Sequence, residues 1–351
     1  MKKVRAAAAA AALLFSAAGC SQMHPAASAQ DVPAASTAGI FAMDTYIDLT
    51  AYGANAEAAL DAAQSRILEL ERLWSVTDPG SEIYAVNHSG GAPTWVSTDT
   101  AEILAFALNM AEETNGALDP TLYPVLTAWG FTTAQYQIPD AETLSALLKN
   151  TGCDKVDLDG QVVTLPAGME LDLGAVGKGY AVEEAAQVLA DYGVESALLD
   201  FGGNILAVGS RPDGTPWRVG IRDPDTDGTL GVLEVTNQSV VVSGGYERYF
   251  VGEDDERYWH ILDPETGAPA RSGLTQVAII SEESKLCDAL STAVFVVGRE
   301  KATDLWRERQ DFEMVLLTDD GTVCITEGLS GCFTLSSGQE GREVHILAAE
   351  T

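Results

Sequence analysis

The chain has 351 residues, enough for one large domain or two ordinary ones, and 46% of them are apolar, which supports a sizeable core. It carries 52 acidic against 20 basic side chains, a formal net charge of −32. A field of that sign repels nucleic-acid backbones, which argues against a nucleic-acid partner; a nucleotide ligand would need local cations or a metal beside it.

Lys2, Lys3 and Arg5 precede the apolar run AAAAAAALLFSAA, which is too short to span a bilayer comfortably, and Gly19-Cys20 follows directly. This pattern resembles a bacterial lipobox, so residues 1–19 are expected to be a signal peptide and Cys20 the lipidated residue. The competing reading, cleavage after Ala27-Ser28-Ala29, lies well beyond the apolar run. Either way the mature protein is expected to work outside the cytoplasm. Loss of the leader leaves 17 basic and 52 acidic side chains. Residues 20–38 are small, polar and Pro-bearing, as in a flexible tether, and 39–351 are expected to form the folded domain.

FAMDTYIDLTAYG alternates like a strand, and ANAEAALDAAQSRILELERLWS has the 3–4 spacing of a helix. VSTDTAEILAFALNMAEETNG reads as a second helix, capped by Ser97 or Asp99 and closed at Gly116. DAETLSALLKNTG reads as a third, capped by Asp140. VDLDGQVVTL is a hairpin on Asp159-Gly160. The helix KGYAVEEAAQVLADYG follows, then strands in ESALLDFGGNILAVGS, WRVGIRD, LGVLEVTNQSVVVSGG, YWHILD and TQVAIIS. CDALSTAVFVVG and REKATDLWRER make a helix pair, and FEMVLLTDDGTVCIT supplies the last strands. The order predicts an α+β fold with antiparallel-rich sheets. Cys324 and Cys332 flank EGLSG and either bridge paired strands or remain buried free thiols. The absence of any C-x-x-C pair argues against thiol redox chemistry and structural zinc.

LDLGAVGKGYAV, from Leu171, places Asp172, three glycines and Lys178 at a helix start. It lacks the spacing and terminal hydroxyl of a P-loop, and its glycines are in the wrong order for a dinucleotide fingerprint. What remains is either an anion site of backbone N–H groups and one ammonium or a tight turn with a solvated lysine. Asp288 and Thr292 share a helix face with Ser291 beside them. They suit a hard cation such as Mg²⁺, or else a cap and a back-bonded hydroxyl. His260, at a strand end, is either a general base or a structural imidazole.

The order of blocks goes further. M-D-T is followed by L-W-S-x-x-D-P-x-S-E-I-x-x-x-N, G-x-x-D-P-T with W-G-F, L-D-L-G-A-V-G-K-G-Y-A-V, D-F-G-G-N, S-G-G-Y-E-R, H-I-L-D-P-x-T-G and D-A-L-S-T. This series resembles the ApbE family, the FAD:protein FMN transferases, from about Phe41 to Gly298. The resemblance implies an ApbE-like fold with its FAD and Mg²⁺ site in a cleft between subdomains. It implies transfer of FMN from FAD to a Thr or Ser hydroxyl of a target flavoprotein, with release of AMP. It further implies that Met43, Asp119, Pro120, Thr121, Asp172, Lys178 and Leu262 contact FAD. The carbonyl of Ala175, with Asp288, Ser291 and Thr292, would hold Mg²⁺, and His260 would be the base. Lipoprotein members are common in the family, which agrees with Cys20.

Two departures stand out: Asp44 occupies a position where the family commonly has glycine, and V-S-G-G surrounds Ser243 where T-S-G is common. The alternatives are a pyrophosphatase splitting FAD into FMN and AMP, and a non-catalytic flavin-binding lipoprotein. The chain has no [ST]-G-A-T acceptor pattern of its own, so the expected partner is another protein that has one, an electron-transport subunit or an extracellular reductase.

Overall fold

The computed structural model describes residues 34–349. The expected signal peptide, Cys20 and most of the tether lie outside the described residues. The first strand starts at Ala35, four residues inside the stretch expected to be tether.

Strands β1 (Ala35–Ala42) and β2 (Thr45–Tyr52) form a hairpin, where one long strand was expected. Met43 and Asp44 make the turn, with φ of 52° and 60°. Such turns usually advertise themselves by glycine; here Asp, which tolerates left-handed backbone, takes the place, and the alternation runs through unbroken. Helices α1 (Ala56–Trp74), α2 (Glu82–Asn87) and α3 (Thr98–Glu113) follow, with β3 (Thr94–Trp95) before α3. Ser97 caps α3, its hydroxyl accepting from the Thr100 N–H. Next come α4 (Tyr123–Trp129), α5 (Ala141–Leu147, capped by Asp140), β4 (Asp157–Asp159), β5 (Val162–Thr164) and α6 (Gly177–Asp191).

The second half holds β6 (Ser196–Asp200), β7 (Asn204–Val208), β8 (Trp217–Arg222), β9 (Thr229–Val235), β10 (Gln238–Gly244), β11 (Tyr249–Val251), β12 (Arg257–Trp259) and β13 (Leu274–Ser281). Helix α7 (Ser284–Arg309) breaks at Gly298, whose φ of 80° and ψ of 172° divide it into the two expected pieces. Strands β14 (Glu313–Thr318), β15 (Val323–Thr326), β16 (Phe333–Leu335) and β17 (Val344–Leu347) complete the chain.

A nine-stranded sheet in the order β1-β2-β6-β7-β10-β13-β14-β15-β17 is antiparallel except for β15 with β17. Its central strands are buried on both faces. Val277 and Ile279 of β13 join the core that includes α1, α6 and α7, while Ala278 and Ile280 join a second core against the small sheet β16-β9-β8. The run LGVLEVTNQSVVVSGG therefore divides between two sheets, β9 in the small one and β10 in the large one, at a turn where Asn237 has φ 51°. All four cysteines in the described part are free. Cys324 faces the helical core and Cys332 packs against the other one, so the sheet separates the two thiols. No described helix is long and apolar enough to cross a membrane.

Candidate functional site

A cavity of about 360 Å³ opens where the helical core meets a small satellite cluster of Leu122, Val125, Trp129, Phe131 and Leu262. Met43, Asp119, Pro120, Asp172, Ala175, Lys178, His260, Leu262 and Thr292 all line it. The fold thus gathers residues spread over some 250 positions of sequence, from a hairpin turn, two loops, a helix start and the exposed side of α7. Thr121, Asp288 and Ser291 stand behind this wall.

The floor is the start of α6. Asp172 Oδ1 accepts the Gly174 N–H at 2.6 Å, which fixes the turn into the helix. Burial pushes the Asp172 carboxyl up, against the pull of that N–H, Arg248 and Lys178. Lys178 reaches toward the Gly174 carbonyl at 3.5 Å, a weak contact that leaves its ammonium for the cavity. Gly179 lies against α7: a Cβ there would sit 2.5 Å from the Ser284 carbonyl oxygen and 2.6 Å from Asp288 Cβ. The missing side chain lets the Gly179 N–H donate to Asp288 Oδ2 at 2.8 Å. One of the orphan donors of the α6 start is therefore spent on orienting a carboxylate from another helix.

Asp288 is buried, and desolvation pushes its carboxyl up despite Lys178 and the Gly179 N–H. A buried carboxylate with that bias gains from an added cation. Thr292, one turn on, has no hydrogen bond from its hydroxyl to another described residue, and the Ala175 carbonyl receives none. One carboxylate, one hydroxyl and one carbonyl are hard oxygen donors, and this set fits Mg²⁺, which retains water or phosphate oxygens as its other ligands. It is not a carboxylate cage: no group of three or more His, Cys, Asp or Glu able to hold a metal occurs among the described residues. Ser291 is committed elsewhere. Its hydroxyl donates to the Asp288 carbonyl at 2.8 Å and so receives its 2.8 Å bond from Ser243.

On the opposite wall, His260 Nδ1 donates to the Arg248 carbonyl at 3.2 Å. A carbonyl can only accept, so Nδ1 holds the proton and Nε2 keeps its lone pair. Enclosure in the cavity, then Arg248, push the imidazole down to about 4. Asp119 is held by the Thr121 N–H (2.8 Å), the Thr121 hydroxyl (2.6 Å) and the Cys153 thiol (3.2 Å) on one oxygen. Thr121 therefore positions Asp119 instead of lining the cavity.

Glu247 and Arg248 also line the cavity and were not singled out as site residues, although the S-G-G-Y-E-R block contains them. Glu247 is pushed up to about 7, chiefly by the protein crowding it, although one side stays open to solvent; Lys178 and Arg222 oppose the shift and Asp288 adds to it. Arg248 donates to the Phe131 carbonyl at 3.0 Å and lies 3.5 Å from Asp44 Oδ2. The unusual Asp44 therefore sits at the mouth as a partner of Arg248. The signal for Glu247 and Arg248 was the block itself; nothing local shows that the chain after β10 turns back to the cavity.

Residues 43–316 match the ApbE family model. The FAD:protein FMN transferase of Treponema pallidum is 35% identical over 297 residues, covering 79% of this chain and 81% of that protein. The enzyme of the same name from Escherichia coli K12 is 30% identical over 262 residues, 72% of this chain and 74% of its own. The crystal structure of the ApbE protein of Thermotoga maritima superposes with a TM-score of 0.79 at 31% identity, over 84% of this chain and 98% of that one. The flavin transferase ApbE of Vibrio cholerae gives a TM-score of 0.77 at 26% identity, over 86% of this chain and 99% of its own.

Proposed function

This chain belongs to the ApbE family, and from that premise we propose that its cavity carries out FAD:protein FMN transfer with Mg²⁺, joining FMN to a Thr or Ser hydroxyl of an acceptor protein and releasing AMP. The observation that carries the reading is the meeting, at one cavity, of Lys178 from the start of α6 and a neutral imidazole with Nε2 unoccupied, with a carboxylate biased toward a cation directly behind the wall.

Each residue has a defined task. Lys178 holds the FAD pyrophosphate, supplying positive charge that a chain of net charge −32 otherwise lacks, while the N–H groups of the turn into α6 serve the turn itself and Asp288. Asp288, Thr292 and the Ala175 carbonyl hold Mg²⁺, which neutralises charge developing on the phosphates when bound. His260 Nε2 takes the proton of the acceptor hydroxyl as its oxygen bonds to the FMN phosphorus, and the anhydride bond to AMP breaks. Asp119, Pro120, Met43 and Leu262 shape the cavity around FAD. The Pro120 carbonyl, accepting from the Asp172 N–H at 2.8 Å, ties the two loops together.

The leader and Cys20 support a lipid-anchored protein on the outer side of the cell membrane, where acceptors with an [ST]-G-A-T segment would be electron-transport subunits or secreted reductases.

Incubation with FAD, Mg²⁺ and a purified domain carrying one [ST]-G-A-T segment is expected to yield covalent flavin fluorescence in a denaturing gel, with AMP formed in equal amount. Asp288→Asn should lower transfer by about 10²–10³-fold, as loss of a charge-stabilising group does. AMP formed without fluorescent acceptor would point to FAD hydrolysis instead. Unchanged transfer in the Asp288 variant would refute the metal assignment.

A further inference from the structure

We propose that Glu183 is a positioning residue for the metal-binding carboxylate: reaching across from α6, it caps the start of α7 and so keeps Asp288 in register with the Gly179 N–H. This inference rests on the transferase reading, which assigns Mg²⁺ to Asp288, and adds a residue that touches neither metal nor substrate.

Helix α7 begins without a cap of its own. Glu283, the residue before it, makes no side-chain hydrogen bond to the helix start, and the first turn holds no acidic residue. The first N–H groups of a helix lack partners inside it and favour a negative charge beside them. Glu183 supplies that charge from the facing helix. Its Oε1 accepts the Lys285 N–H at 2.9 Å, and its Oε2 lies 3.3 Å from the Lys285 ammonium. Lys285 is the second residue of α7, a position whose N–H a capping oxygen ordinarily takes.

This contact is one of two rungs between the helices. Gly179 and Glu183 are four residues apart on α6, and Lys285 and Asp288 are three apart on α7, so each pair shares a face. Glu183 takes the Lys285 N–H, and Asp288 Oδ2 takes the Gly179 N–H at 2.8 Å. Each helix start thus donates to a carboxylate of the other helix. The backbones meet at the same place, where a Cβ on Gly179 would lie 2.7 Å from the Lys285 Cα. Lys285 and Asp288 lie within one turn, so a shift of the first carries the second away from its N–H. Groups that orient a metal ligand in this way set the affinity of the site without touching the ion.

The neighbouring carboxylate does something else. Glu184 turns to α1, where its Oε2 accepts from Arg66 Nη2 at 2.8 Å and Nε at 3.1 Å. Two adjacent acids of equal charge therefore divide their duties, Glu184 holding α6 on α1 and Glu183 holding the start of α7.

The test uses the full chain and Mn²⁺, which takes oxygen ligands as Mg²⁺ does, with binding read from the loss of the free-ion EPR signal. Binding to the site is the part that Asp288→Asn abolishes. Glu183→Ala should weaken it about tenfold and raise the Mg²⁺ concentration for half-maximal transfer by the same factor, the effect of losing an outer partner of a metal ligand. Glu183→Gln keeps an oxygen for the Lys285 N–H and should stay within about twofold of the parent, since amide and carboxylate cap about equally well. Glu184→Ala removes the same charge one residue away; it should lower the melting temperature and leave Mn²⁺ binding unchanged. In the parent chain the Lys285 amide should be protected from hydrogen exchange, unlike the amide of a frayed helix end. Weakening of Mn²⁺ binding in Glu183→Gln or Glu184→Ala as large as in Glu183→Ala overturns the proposal, because lost charge or general loosening would then suffice. A Glu183→Ala chain that melts earlier and binds Mn²⁺ like the parent also overturns it. A freely exchanging Lys285 amide overturns it even where the alanine chain does not fold. An Asp288→Asn chain that binds Mn²⁺ like the parent removes the metal assignment itself, and this inference with it.

Discussion

The floor and the mouth of the cavity are built in opposite ways. The floor is two helices in contact, where α6 meets α7 at Gly179 with no room for a methyl group, and its polar atoms are mostly committed to one another. The mouth is a hairpin turn and a loop, joined by one exposed ion pair of 3.5 Å and by stacked rings. A floor of this kind holds the proposed phosphate and metal donors rigidly. A mouth of this kind tolerates substitution and can adapt to different partners. Changes to the floor should therefore be severe, and changes to the mouth slight or confined to the acceptor.

The largest effect is expected at Gly179. An alanine methyl would meet the Ser284 carbonyl oxygen at 2.5 Å and the Lys285 Cα at 2.7 Å, both backbone atoms that cannot step aside. The helices must separate, at a cost of about 1–3 kcal/mol or more for overpacking. Separation also draws the Gly179 N–H from Asp288, so transfer should fall further than stability. Urea denaturation and the transfer assay measure the two. Full activity in Gly179→Ala would mean that the floor is softer than its packing implies.

His260 belongs to the boundary between floor and mouth. His260→Ala should lower the turnover number by about 10²–10⁴, the usual contribution of a general base, with FAD affinity unchanged. The pH dependence carries a sign. With a folded pKa near 4 against about 6.5 when unfolded, the native imidazole binds fewer protons between those values. This group's contribution to stability is thus complete above about pH 6.5 and lost as pH falls toward 4. The acid limb of kcat/KM, which reports the free enzyme, should likewise lie near 4, and an NMR titration of the His260 ring should agree. A ring that titrates near 6.5 would show that the cavity does not exclude water as its walls suggest.

The floor was far more legible in sequence than the mouth, for physical reasons. Asp172, Lys178, Asp288 and Thr292 sit on helices and a helix start, where 3–4 spacing fixes which residues share a face. Gly298 divides α7 where a helix pair was expected, and Asp140 and Ser97 cap as short polar residues do. What was hidden depends on tertiary return of the chain. The Met43-Asp44 turn has no glycine to announce it. The β9 and β10 segments look like one hairpin but enter different sheets, because both faces of the large sheet need cover. Glu247 and Arg248 reach the cavity because the chain folds back after β10, which no local pattern encodes. Cys324 and Cys332 are near in sequence and separated by a sheet.

The smallest effect is expected at Asp44, and it sharpens the contrast most. The residue has φ 60°, which glycine adopts freely and which costs an L-residue about 1–2 kcal/mol, less for Asp. Asp44→Gly relieves that cost but frees the unfolded chain, and it removes an exposed ion pair of about 0–1 kcal/mol. These terms nearly cancel, so the melting temperature should move by no more than a few degrees. Removing the carboxylate also leaves Arg248 without its ion pair beside the cavity proposed to hold the pyrophosphate. FAD should then bind a few-fold tighter at low salt, and the gain should disappear at about 1 M salt, where screening acts over about 3 Å. Fluorescence titration of FAD at the two ionic strengths separates this from the alternative: weaker binding at both would place Asp44 among the groups that hold FAD, and the mouth would share the precision of the floor.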